Sequence, residues 1–355
     1  MKKFMRLFVL LFCAMILAGC AKDKTEEKPN TANDAVTVTP EPTAAATEAP
    51  SVTEEPEQKI ALKIAALKGP TAMGMVKLME DADNQTTANQ YNFSIAGTAD
   101  EISGGLIQGN IDIAAIPCNL ASVLYNKTEG KIKIAGINTL GVLYLMETGD
   151  TIHSVEDLKG KTIYSTGLGT TPQYTLNYIL NAHGIDPEKD VTIEYKTEAT
   201  EVATLLSQTE NAVAMLPQPF VTTVLLKNDK ARVALDVAKE WDAVKNDESS
   251  VVTGVVVVRS DFLEQNKEAV DAFLQEYKVS AEYVNQNVED AAALVGKYNI
   301  IDAAIAKKAI PDCNITMIQG NEMKDKVNGY LTALFNQNPK AVGGKMPADD
   351  FYYIP

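Results

Sequence analysis

At 355 residues, of which 46% are hydrophobic, the chain has enough apolar material for two domains with cores of their own. A formal charge of −15 makes nucleic acid and anionic lipid surfaces poor partners. With two histidines, His153 and His183, and no CxxC pair, a histidine-built metal centre is disfavoured, and neither metal nor cofactor is expected.

Lys2, Lys3 and Arg6 precede an apolar stretch from Leu7 to Leu17, too short to serve comfortably as a permanent membrane span. The stretch ends in Leu17-Ala18-Gly19-Cys20, which resembles the bacterial lipoprotein cleavage box. Residues 1–20 are therefore expected to be a removed export signal, with Cys20 carrying the lipid that anchors the chain to a membrane without spanning it. Residues 21–58 hold no aromatic side chain and are dominated by Pro, Thr, Ala and Glu, so they are expected to form a disordered tether. As a flexible coil the tether would reach roughly 35 Å. Signal, tether and remaining body carry +3, −6 and −12 charges.

From Lys59 onward, strand and helix patterns alternate. Expected strands are Ile60–Leu67, Tyr91–Gly97, Ile111–Ile116 and Lys131–Asn138, separated by helices at Thr71–Asp83, Glu101–Gln108 and Asn119–Asn126. A second series follows: strands at Thr162–Ser165, Val191–Tyr195 and Ala212–Leu216, with helices at Pro172–His183, Glu201–Gln208 and Pro219–Lys227. The β-branched run Thr253–Val258 reads as a buried return strand, and the chain beyond it reads as nearly all helical to about Gln337. The βαβα order implies an α/β protein with mostly parallel sheets flanked by helices. Two unequal series and a return strand suggest one lobe from 59–150 and 248–355 and a second from 151–247. The crossings are expected near Glu147–Val155 and Lys245–Val252.

Three segments carry a family pattern: Lys68-Gly69-Pro70-Thr71-Ala72-Met73-Gly74, Gly109-Asn110-Ile111-Asp112-Ile113-Ala114 and Ser154-Val155-Glu156-Asp157-Leu158-Lys159-Gly160-Lys161-Thr162-Ile163. Over roughly residues 59–340 the chain resembles the ABC-transporter substrate-binding proteins of the nitrate, sulfonate, taurine and thiamine-pyrimidine-precursor group. Thr166–Tyr174 looks like the Gly-rich turn opening the second lobe's first helix in that group, and Val255–Phe262 like its return strand. The resemblance implies a two-lobed periplasmic-binding-protein-like fold of type II, whose cleft closes on one small-molecule solute and delivers it to an ABC permease in the membrane. A monomer without enzyme activity is expected. Some relatives form a pyrimidine with a histidine of their own chain, but neither His153 nor His183 falls in a candidate cleft loop. A sensor or adhesion lipoprotein is the other reading left open.

Strand ends in open α/β sheets gather at a crevice where helix starts offer free N–H groups. Two such starts stand out: Gly69-Pro70-Thr71, and Gly169-Thr170-Thr171 before Pro172. Each could hold an oxygen-bearing ligand group, and each would equally serve only to begin its helix. Gly167-x-Gly169 is no dinucleotide loop, since Pro172 stands where the third glycine belongs. Asn119, after Pro117-Cys118, and Gln218, between two prolines, sit at strand ends. Tyr144, Tyr174, Phe220 and Trp241 are candidate stacking aromatics, with core packing the better reading for Phe220. Arg232 and Arg259, the only arginines after residue 20, fall outside the cleft loops, which shifts the expected solute from nitrate or sulfate toward a small organic or heteroaromatic one. Cys118 and Cys313 are expected either as one disulfide or as buried thiols.

Overall fold

The computed structural model describes residues 59–355. The export signal, Cys20 and the tether lie outside the described residues. In chain order, the first half runs β1 (Ala61–Leu67), α1 (Pro70–Met73), α2 (Val76–Asp83), β2 (Gln90–Ala96), α3 (Ala99–Gln108), β3 (Ile113–Pro117), α4 (Cys118–Lys127) and β4 (Ile132–Thr139). It continues through β5 (Leu143–Glu147), β6 (Thr162–Thr166), α5 (Thr171–Ala182), β7 (Thr192–Lys196), α6 (Ala199–Gln208), β8 (Val213–Pro217), α7 (Phe220–Lys227), β9 (Arg232–Asp236) and α8 (Val237–Val244). The return comprises β10 (Gly254–Arg259), α9 (Ser260–Gln265), α10 (Lys267–Gln286), α11 (Val288–Lys297), α12 (Ala303–Ala309), β11 (Ile315–Ile318) and α13 (Gly320–Gln337).

Two sheets result, ordered β11-β4-β10-β3-β1-β2 and β7-β6-β8-β5-β9. Val255–Val258 lie in β10, between β4 and β3, and are wholly buried. Alternation along each strand divides the cores. Leu62, Ile64, Val256 and Val258 face α2 and α10 residues such as Leu78, Phe273 and Tyr277. Ala65, Ile116, Val255 and Val257 face the opposite way, toward Leu124 of α4 and Tyr330 of α13. In the second sheet Leu143 and Leu145 join one core, while Tyr144 and Met146 join the other.

The sheets are mixed rather than simply parallel: β11 opposes β4, and the crossings explain the reversal of β5 and β10. β1–β4 run one way, and β10 pairs antiparallel with both β3 and β4. β6–β9 likewise share a direction, and β5 opposes both β8 and β9. A chain leaving β4 or β9 at the cleft end enters the other sheet from that same end, so it must run opposite to its new neighbours. The first crossing accordingly lies at residues 140–142, earlier than the 147–155 expected, because Leu143–Glu147 is already a strand of the second sheet. The second occupies residues 245–253, between α8 and β10. Within each lobe three strands have equivalent order, β2-β1-β3 and β7-β6-β8. Ala99, Glu101, Leu106 and Pro117 recur 100 positions later as Ala199, Glu201, Leu206 and Pro217. Among the described residues no helix is long and apolar enough to cross a membrane.

Candidate functional site

A cavity of about 500 Å³ lies between the two lobes. Hollows of similar volume at Gln108–Arg259, Ser207–Lys230 and Lys59–Asn92 are each lined by one lobe alone. The interlobe cavity instead collects the loops after β1, β3, β6 and β8 and the starts of α3, α4, α5 and α7.

On the first lobe, Gly69 has φ 125° and ψ −153°, a backbone conformation that favours glycine, and Pro70 follows at the first turn of α1. The Thr71 hydroxyl donates to Leu67 O at 2.6 Å, and Thr71 O accepts from Asn138 Nδ2 at 3.1 Å. The loop is therefore held from behind, with the Thr71 N–H making no hydrogen bond among the described residues. Asn119 is buried; its Nδ2 donates to Ala341 O at 3.4 Å and its Oδ1 accepts from the Thr171 hydroxyl at 3.2 Å. That last bond joins the lobes across the cavity.

On the second lobe, Gly167 and Gly169 have φ of 79° and 75°. The Thr170 hydroxyl donates to Gly167 O at 2.8 Å, and the Gly169 N–H donates to Gln173 Oε1 at 2.6 Å. The N–H groups of Thr171 and Phe220, at the first positions of α5 and α7, make no hydrogen bond among the described residues, as free helix starts do. Gln218 is 3% exposed and lines the cavity beside Pro217, Pro219 and Phe220.

Seven of the residues singled out from sequence thus meet at one surface: Gly69, Pro70, Thr71, Asn119, Thr170, Thr171 and Gln218. Three do not. Tyr144 points into the second lobe's core and its hydroxyl donates to Asp312 O at 3.0 Å. Tyr174 packs against the first lobe, its hydroxyl accepting from Asn338 Nδ2 at 3.0 Å and its carbonyl from Gln337 Nε2 at 2.9 Å. Gly169 is exposed and outside the lining. Phe220, assigned to packing, is a wall residue, and Leu67, Leu120, Val142 and Leu143 add to the apolar side. Val142 and Leu143 enter because the crossing falls earlier than their sequence suggested. Trp241 is fully buried and away from the cavity.

The only charged lining residues are Lys68 and Asp100, both exposed at the rim. Arg232 pairs with Glu147 and Asp150, and Arg259 with Asp112 and Asp261. The walls can therefore offer neutral hydrogen-bond donors and apolar contact, without a guanidinium. Cys118 and Cys313 are buried, and among the described residues neither forms a disulfide. Burial pushes both thiols up, Cys313 to about 12 with a smaller contribution from Asp312, which disfavours the thiolate form.

Gly254 supports the first-lobe loop from below. A Cβ there would lie 2.5 Å from Asn138 Oδ1 and 2.6 Å from Thr71 Cγ2. Gly254→Val is expected to cost about 1–3 kcal/mol through overpacking, measured by denaturant unfolding. A variant as stable as the parent would contradict this account of the loop.

Residues 132–291 match the model of the family described as NMT1/THI5 like. No curated protein matches the chain. A solved structure described as an ABC transporter from Parabacteroides distasonis is 26% identical, with a TM-score of 0.70 over 83% of this chain and 98% of that one. The periplasmic aliphatic sulphonate binding protein SsuA from Escherichia coli is 18% identical, with a TM-score of 0.64 over 82% and 91% of the two chains. The alkanesulfonate-binding protein SsuA from Xanthomonas axonopodis pv. citri, bound to MOPS, is 11% identical, with a TM-score of 0.60 over 84% and 100%. The resemblance drawn from the sequence is borne out, and the chain has the two-lobed α/β fold of periplasmic binding proteins.

Proposed function

We propose that the chain is an extracytoplasmic solute receptor, a monomer tethered to the membrane through lipid on Cys20, that delivers one small solute to the permease of an ABC importer. The observation that carries this reading is the cavity into which loops and helix starts of both lobes converge. Such a site binds a solute on one lobe and gains the remaining contacts when the other swings over it, so that the solute stabilises the closed form. The two crossings, at 140–142 and 245–253, supply the flexing segments. Two relatives are sulfonate binders by description. Here the absence of arginine from the lining favours a small organic or heteroaromatic solute, neutral or anionic, over a strong inorganic oxyanion.

Thr171 tests the placement most simply, because it is buried at the start of α5 and bridges to Asn119. Thr171→Phe is expected to abolish solute binding, measured by calorimetry, while the far-ultraviolet circular dichroism stays that of the parent. Unchanged affinity would move the binding site elsewhere.

A further inference from the structure

Among the side chains lining the cavity, Gln218 combines deep burial with an unused donor. Its Oε1 accepts from the Thr222 hydroxyl at 2.8 Å and the Thr222 N–H at 3.3 Å. A backbone N–H can only donate, so the oxygen must face Thr222 and the amide nitrogen must face away. Nε2 makes no hydrogen bond among the described residues, yet it is not one of the sealed, unsatisfied atoms of the core. The small exposed area of Gln218 therefore opens on the cavity that this residue lines. The first lobe has no equivalent. One hundred positions earlier, Cys118 is sealed at 0% exposure, and Ser122, at the position matching Thr222, donates to Val342 O at 2.7 Å.

We infer that Gln218 is the specificity-determining residue of this site: Nε2 donates to a hydrogen-bond acceptor on an otherwise apolar solute, and Thr222 is the positioning residue that fixes the amide. The inference rests on the receptor reading and narrows it. The solute presents a carbonyl, carboxylate or ring-nitrogen acceptor to the second lobe while its body lies against Leu120, Val142, Leu143 and Phe220. An ammonium group at the same place would meet a donor and is rejected.

Benzoate, benzamide and benzylammonium, one ring with three different polar ends, are the probes, titrated calorimetrically into the full chain and its variants. The parent is expected to bind benzoate and benzamide and to exclude benzylammonium. Gln218→Glu retains an acceptor facing Thr222, and so keeps the cap of α7, but removes the donor. It is expected to lose about ten-fold or more in affinity for neutral benzamide, the arm that decides, while benzoate weakens further by charge repulsion. A purely capping role for Gln218 leaves the benzamide affinity untouched and overturns the inference. Thr222→Val removes the shorter of the two bonds that hold the amide, the hydroxyl one at 2.8 Å, and leaves only the N–H bond at 3.3 Å; it is expected to narrow the preference for benzamide over benzylammonium, whereas Thr222→Ser restores it. Should sulfonates, aminopyrimidines or amino acids bind the parent while benzoate and benzamide do not, the inference fails and the receptor reading stands. If no compound of either set binds, both fail.

Discussion

Replacing Trp241 with alanine is expected to remove about 3–5 kcal/mol of stability, the range for deleting a buried large aromatic side chain. Trp241 belongs to α8, at the end of the second lobe's run of elements, but its ring is wholly buried against the other lobe. It stacks on Tyr178 of α5 at 4.0 Å between centroids and meets Tyr330 of α13 edge-on at 5.3 Å. Its Nε1 donates to Ser249 Oγ at 3.0 Å, within the second crossing. The same seam carries the hydroxyl pair Thr175–Tyr330 at 2.9 Å. Truncation leaves a cavity, strands the Ser249 hydroxyl and loosens both lobes at once. Urea unfolding followed by tyrosine fluorescence and by circular dichroism is therefore expected to show a lower midpoint and transitions that no longer coincide. A loss below about 1 kcal/mol would mean that the seam does not couple the lobes.

Arg232→Ala is the second large effect. The Glu147 side chain is fully buried. It accepts from the N–H groups of Thr151 and Ile152 and from the Thr151 hydroxyl, each at 3.0 Å, and from Arg232. Burial alone pushes its carboxyl up, but these donors, led by the Ile152 and Thr151 N–H groups and supported by the Arg232 charge, hold it below the usual range. Arg232 also donates to Ile152 O at 2.7 Å and Gly149 O at 3.2 Å, closing the turn after β5. Removing it leaves a buried carboxylate short of its countercharge, at a cost of about 3 kcal/mol. This is the lower end for a broken buried pair, because Arg232 is itself one-third exposed and the other donors remain. The sign with pH follows from linkage. A carboxyl with a lowered folded pKa contributes stability above its ordinary value near 4.3 and loses it as pH falls through the folded value. Acid unfolding of Arg232→Ala is accordingly expected to begin at higher pH than in the parent, and coincident acid curves would refute this role.

The long alternations were legible in the sequence. Val255–Val258 is buried on both sides of its strand, as its composition required, and the Asp100-Glu101 start and Gly109 end of α3 carry ordinary helix signals, with Gly109 at φ 77°. What escaped were three short strands, β5, β9 and β11, of four or five residues each. Leu143–Glu147 is buried along its length, so it shows no two-residue alternation. Missing it displaced the first crossing and placed Tyr144 at the cleft.

At the site, glycine and proline chemistry located the loops, because it follows from backbone dihedrals. Side-chain direction did not follow. Thr71 and Thr171 have their hydroxyls engaged by Leu67 and Asn119, and the orientation of Gln218 depends on Thr222, whose role appears only once α7 is built. One available signal was the recurrence at 100 residues, which pairs Pro117 with Pro217 and places the two following loops at equivalent strand ends.

The most direct test of the central claim is a thermal-shift panel of sulfonates, nitrate, aminopyrimidines, aromatic acids and amino acids on the full chain and on Thr171→Phe. A solute present at 100 times its dissociation constant adds about 2.7 kcal/mol, so a receptor shows a clear rise in unfolding temperature with one chemical class, and Thr171→Phe shows none. A flat panel from well-folded protein, or a rise that persists undiminished in Thr171→Phe, would contradict a solute site between the lobes.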